Sequence, residues 1–251
     1  DIELYLGQTS NKLHDSAQLG DLEDTKNHPQ DKNQNIRVTL MVKHNTSDDS
    51  YLEKIQTTHD SWTIHTTNNA VKFKYIKSVK YLCENGCRRD IFTVAQAVIN
   101  NDLECLKCLF EHNFPYNDSI YANAVYYNSV ECLTYLMKMG VPLTSKPCSE
   151  AAKTNNLKML IFLRKNECPW DIYTCINASA NGHFDILRYA RENDDIPAPW
   201  DKQVCTKAAK FGRLNCLKYA IKNGCPHDKQ RCLEIARNYK QTEIVEYLNS
   251  I

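Results

Sequence analysis

A short corner ending in Asp, Asn or Thr returns along this chain at a nearly fixed interval, and an internal period of that size restricts the fold more than any other property a sequence carries. The copies are C-R-R-D at 87–90, F-P-Y-N at 114–117, V-P-L-T at 141–144, C-P-W-D at 168–171, A-P-W-D at 198–201 and C-P-H-D at 225–228. Their last residues, Asp90, Asn117, Thr144, Asp171, Asp201 and Asp228, are spaced 27, 27, 27, 30 and 27, and a weaker D-S-W-T puts Thr63 another 27 upstream.

All of these residues have side chains that accept a hydrogen bond from the unpaired N–H groups of a helix's first turn, so each reads as an N-cap. Pro115, Pro142, Pro169, Pro199 and Pro226 stop the preceding helix, because proline disfavours helical backbone in the residue before it. After each cap comes a small-residue stripe at helical spacing, as in Cys175, Ala178 and Ser179 or Cys205, Ala208 and Ala209. A polar break follows, and then a second apolar helix of the L-E-C-L-K-Y-L type. Its copies begin at Ile76, Leu103, Val130, Leu157, Phe184, Leu214 and Thr242.

Two helices this short are marginal in water and cannot bury their own apolar faces. Stacking makes each hairpin the core of its neighbour. The expectation is an all-α, helical-hairpin solenoid with 27-residue repeats: about seven repeats over 49–251, preceded by a short irregular, polar segment at 1–48. Within that segment the run Ile36–Val42 reads as a cap over the first repeat.

Lys plus Arg number 31 against 30 Asp plus Glu, so no global field draws the chain to nucleic acid or to an anionic membrane. No apolar run approaches the ~20 residues of a membrane span, and the first thirty residues are too polar for a secretion signal. An intracellular protein is expected, with a segment upstream of Asp1 left open. Its 12 cysteines are spread through helical patterns and read as thiols in a reducing compartment.

The stretch 174–189, T-C-I-N-A-S-A-N-G-H-F-D-I-L-R-Y, resembles the ankyrin pattern T-P-L-H-x-A-A-x-x-G-H-L-E-V-V-K-L. It is closer to the shortened, cysteine-rich ankyrin-like repeats with C-P-W-D corners in proteins of large DNA viruses. Two departures stand out: the period is 27 rather than about 33, and the T-P-L-H proline and histidine are missing. The projecting hairpin finger is therefore expected to shrink to a tight corner. The resemblance implies protein binding without intrinsic chemistry, in the cytoplasm of a host cell or in a virion. Relatives often carry an adaptor module for ubiquitin ligases, although 1–48 holds no recognisable adaptor motif.

Individual residues fit that reading. Cys105-x-x-Cys108 lacks a second such pair to complete a zinc site, and Cys132 and Cys216 take the Cys105 position in other repeats, so both read as core. Cys148, Cys175, Cys205 and Cys232 read as equivalent positions of successive first helices. Trp62, Trp170 and Trp200 share one corner position, which points to packing between repeats, and His183 belongs to the Gly-His joint between helices. No phosphate loop, carboxylate pair or Ser/His/Asp set emerges, so no catalytic residue, metal or cofactor is expected. Partner-binding candidates lie where the repeats differ: Tyr126, Tyr127, Tyr173, Lys202, Phe211, Lys229, Gln230 and Tyr239, on the concave face if ankyrin curvature holds. The leading expectation is a scaffold for another protein; the alternatives are a structural component of an assembly such as a viral particle, or a ubiquitin-ligase substrate adaptor. The three-residue expansion around 194–196 should bulge outward without moving its flanking helices.

Overall fold

The computed structural model describes residues 64–192 and 196–251. The N-terminal segment 1–48, Trp62, the Thr63 cap and most of the expansion, 193–195, lie outside the described residues. The described chain forms two compact units, divided after Tyr116.

The first unit holds two hairpins, α1 (Ile64–Lys72) with α2 (Ile76–Glu84) and α3 (Ile91–Ile99) with α4 (Leu103–Glu111). The second holds five: α5 (Ile120–Tyr126) with α6 (Val130–Lys138), α7 (Lys146–Lys153) with α8 (Leu157–Lys165), α9 (Ile172–Asn181) with α10 (Phe184–Glu192), α11 (Lys202–Lys210) with α12 (Leu214–Lys222), and α13 (Lys229–Asn238) with α14 (Thr242–Ser250). Every second helix begins where the apolar pattern places it. The described residues form no strand, and the fold is an all-α helical-hairpin repeat.

Stacking runs through the first helices. α1 packs on α3 in one unit, and α5, α7, α9, α11 and α13 pack in order in the other. Fully buried Ala151, Ala152, Ala178, Ala208 and Ala209 line the contact, and their small side chains let the backbones approach. Leucines of the second helices, such as Leu160, Leu163, Leu187 and Leu217, fill the space behind them.

Two kinds of backbone joint set the period. Each first helix ends at a left-handed residue, Lys74, Asn101, Asn128, Asn155, Gly182, Gly212 or Lys240, and Asn and Gly are the residues that tolerate this region best. The second helices close by a bond from the corner residue back five positions, Cys168 N–H to Leu163 O (3.0 Å) and Cys225 N–H to Ala220 O (2.9 Å). In the expanded repeat the same closure runs from Ala198 N–H to Ala190 O (2.8 Å), eight positions. The two ends that flank the expansion thus keep their usual bond.

Four of the expected caps hold, and two, Asn117 and Thr144, do not: α5 starts after Ser119 and α7 after Ser145. Asp90, Asp171 and Asp201 accept from the N–H two residues on, and Asp228 from Arg231 N–H. Asn117 Oδ1 accepts from Ser119 N–H at 3.0 Å, tightening the turn before α5. Thr144 does not cap: its buried hydroxyl has no hydrogen-bond partner, and the helix starts after Ser145. Pro147 stands three residues after Thr144 and has no N–H to give.

The last repeat also departs from its expected register. Buried Val204, Cys205, Ala208 and Ala209 of α11 correspond to buried Cys232, Leu233 and Ala236 of α13, since both joints close on the equivalent alanine, Arg213 N–H to Ala208 O and Gln241 N–H to Ala236 O. Leu233, not Cys232, therefore continues the position of Cys148, Cys175 and Cys205. The segment from the Asp228 cap to its left-handed joint at Lys240 is one residue longer than that from Asp201 to Gly212. This accounts for the 28-residue step between Leu214 and Thr242.

Candidate functional site

The joint between the two helices of a repeat is a polar latch onto the repeat before it. His183 Nδ1 lies 2.8 Å from Ala152 O, Arg213 Nε donates to Ala180 O (3.2 Å), and Gln241 Nε2 donates to Lys210 O (3.4 Å). These bonds satisfy carbonyls that a helix C-terminus leaves open. His183 is thereby a structural donor, with its proton on Nδ1 because a carbonyl only accepts.

The residue just before the left-handed one points outward, and in four repeats it is aromatic: Phe73, Tyr127, Phe211 and Tyr239. Lys210 Nζ lies 5.2 Å from the Phe211 ring centroid and 4.8 Å from that of Tyr239, joining α11 to α13. Tyr126 and Tyr127 meet edge to face at 4.9 Å, and Lys153 Nζ stands 5.7 Å from the Tyr126 ring. Phe73 was missed as a candidate, although the 27-residue register aligns it with Tyr127 two repeats on.

The eight candidates therefore fall into two groups. Tyr126, Tyr127, Phe211 and Tyr239 lie at the C-terminal ends of first helices; Tyr173, Lys202, Lys229 and Gln230 lie at the N-terminal ends. With a rise of 1.5 Å per residue, the groups stand about 12 Å apart along these helices. The five aromatics among them are 43% to 55% exposed. Lys229 Nζ donates to the carbonyl of Ile251, which ties it to the end of α14.

The corner tryptophans pack between repeats, as their repetition implied. Trp170 donates from Nε1 to Ile196 O (3.0 Å) and meets Tyr189 edge to face; Trp200 meets Tyr219 in the same way. Behind each ring stands an arginine of the second helix, Arg164 at 4.2 Å and Arg191 at 4.0 Å, which also donates to the carbonyl of Cys168 or Ala198.

All twelve cysteines are buried. In the second unit several thiols serve as short donors to backbone: Cys168 to Thr144 O (3.4 Å), Cys225 to Asp201 O (3.3 Å), and Cys148 and Cys175 to the corner carbonyls of Cys168 and Ala198 (both 3.8 Å). The Tyr121 hydroxyl makes the equivalent bond to Val141 O at 2.8 Å. Cys105 packs in the core of the first unit, as its repetition at Cys132 and Cys216 implied. Cys108 is buried on the same helix, 3% exposed, and its sulfur also stands near Cys83 and His112, with all three ligand atoms within 4.8 Å of one another. The Cys83 thiol stands near Cys108, in place to donate a hydrogen bond to it. Receiving that bond pulls Cys108 down to about 7, aided by His112. Cys87 is also pulled down to about 7, first by Cys83 and then by Thr67 and Arg89, while Cys83 is pushed far up.

Among the described residues no helix is long and apolar enough to cross a membrane. No family model and no curated protein matches the chain. Among solved structures, the human ASB11 ankyrin repeat domain is similar over 73% of this chain and 82% of that one, at 15% identity and a TM-score of 0.37.

Proposed function

We propose that this chain is a non-enzymatic scaffold that holds another protein against the ends of its first helices, on the concave face of the repeats. The observation that carries this is the Lys210 group: one ammonium beside two half-exposed rings, Phe211 and Tyr239, from successive repeats. Aromatic rings with a cation alongside combine apolar area and charge, the composition of binding hot spots. The fold does not need these rings in its core, because buried Ala208, Ala209 and Ala236 make the stacking contact behind them. Tyr126, Tyr127 and Lys153 form a second group of the same composition. Tyr173, Lys202, Lys229 and Gln230 would form the far edge of the surface.

The partner is a protein offering apolar side chains beside carboxylates, rather than nucleic acid or membrane; the chain's balanced charge supports this. The C-P-W-D corners and cysteine content resemble those of the short ankyrin-like repeats of large DNA viruses, which supports a role inside a cell where cysteines stay reduced.

The test is affinity capture from native cell extract with the wild-type chain and with a Phe211→Ala/Tyr239→Ala variant, followed by mass spectrometry and reconstitution with the purified partner. Exposed substitutions of this kind change stability by only about 0.5 kcal/mol. The variant should therefore keep its helical signal and lose the partner. Equal capture by both proteins would remove this surface from the proposal, and a stable high-order assembly without partners would favour a structural component instead.

A further inference from the structure

A second feature lies in the first unit and has no part in that surface. Cys83 stands in the last turn of α2, and the corner after it supplies Cys87; Cys108 and His112, four residues apart on one side of α4, stand at that helix's end. In sequence these are C-x3-C and C-x3-H separated by twenty residues. Stacking brings the two pairs together.

We propose that Cys83, Cys87, Cys108 and His112 form a zinc site that clamps two successive hairpins. Three thiols and one imidazole are a standard ligand set for a closed, tetrahedral structural zinc ion. With Zn–S bonds of about 2.3 Å such a site has sulfur-to-sulfur edges of about 3.8 Å. Cys83, Cys108 and His112 already lie within 4.8 Å of one another, so small side-chain rotations close the set. Cys87, buried in the corner four residues after Cys83, lies outside that group of three and would turn toward it to be the fourth ligand.

The surroundings match. His112 Nδ1 lies 2.8 Å from the carbonyl of Cys108 and 3.9 Å from the Cys108 sulfur; with its proton on Nδ1 toward the carbonyl, Nε2 keeps a lone pair, and a turn of the ring would bring it to the ion. The Thr67 hydroxyl of α1 is buried in the same unit without a hydrogen-bond partner. Three thiolates around a divalent ion leave one negative charge, and Arg89 acts on Cys87 from close by. Packing cysteines such as Cys105, Cys148 and Cys205 are 0% exposed, whereas Cys83, Cys87 and Cys108 are 5%, 5% and 3% exposed, which gives an ion a way in. Binding would expel the thiol protons to solvent and leave no open coordination position, so the ion would be structural.

The test uses the full chain, reduced and stripped of metal, titrated with Co²⁺ alone and then Zn²⁺. One equivalent of cobalt should give a thiolate charge-transfer band with the strong visible bands of tetrahedral coordination, and zinc should erase both. His112→Ala, at a half-buried position, should keep the helical signal and weaken zinc binding by about tenfold or more. Cys105→Ala, on the same helix but in the core, should bind as wild type. Absence of the charge-transfer band would overturn the proposal. So would full-strength binding by His112→Ala and by a Cys108→Ser variant; if Cys108→Ser fails to fold, His112→Ala decides alone.

Discussion

Replacing Asp171 by alanine should cost the protein distinctly more than the same change at Asp201, although both are N-caps in the same register. One oxygen of Asp171 accepts from Tyr173 N–H at 2.9 Å, and the other accepts from the Ser145 hydroxyl of the preceding repeat at 2.5 Å. Losing a cap costs about 1 kcal/mol. A hydrogen bond to a charged group adds about 1.5 kcal/mol at the lower end of its range, suitable for this half-buried pair. Asp171→Ala should therefore lose about 2.5 kcal/mol. Asp201 has the same cap, to Gln203 N–H at 2.8 Å, but its second oxygen meets only the exposed Gln203 side chain, so Asp201→Ala should lose about 1 kcal/mol. Urea unfolding followed by circular dichroism measures both, and a double-mutant cycle with Ser145→Ala isolates the bond between repeats. Equal losses at the two aspartates, or no coupling between Asp171 and Ser145, would refute the reasoning.

The glycines at the joints offer a second comparison: a Cβ on Gly182 (φ +80°) would stand 2.9 Å from Arg213 Cδ, whereas one on Gly224 (φ +75°) meets nothing within 4 Å. Both alanine variants carry the left-handed cost of about 1 kcal/mol, and Gly182→Ala should lose more in urea unfolding because it also displaces the Arg213 latch. Deleting Asp194 to Ile196 should restore the 27-residue period and leave the helical signal intact. It should lower the unfolding free energy by about 1 kcal/mol, because the Ile196 carbonyl accepts from Trp170. Collapse of the helical signal would mean that the expansion is wrongly placed.

The hairpins were legible because two independent signals coincide in most repeats: a hydrogen-bond acceptor ahead of the first helix, and Asn or Gly at the left-handed joint before an apolar run, where only Lys74 and Lys240 depart. Where one signal misleads, the reading slips. Thr144 looks like a cap by spacing, but the helix starts one residue later, after Ser145, and Cys232 looks like the next member of the cysteine series because residue identity repeats while the helix has gained a residue. The Cys83, Cys87, Cys108 and His112 group was not legible by looking for paired C-x-x-C motifs. Its members come in two x3 pairs on different repeats, and only stacking makes them neighbours. Phe73 was legible by the same spacing, ten residues after Thr63 as Tyr127 is after Asn117 and Phe211 after Asp201. The split of the partner candidates between opposite helix ends was equally invisible, since spacing after a cap does not say which residues share a surface.

The closure from Ala198 N–H to Ala190 O separates loop length from repeat geometry. Lengthening the closed segment from five positions to eight adds only about 0.4 kcal/mol of chain entropy by the logarithmic rule. Ile196, 71% exposed, leads into that closure from the solvent side. The corner after a second helix is thus a splice site. A foreign peptide grafted between Glu192 and Ile196 should be displayed on the outside while the hairpins on either side keep their register, so this chain offers a presentation scaffold whose insertion point is set by one backbone hydrogen bond.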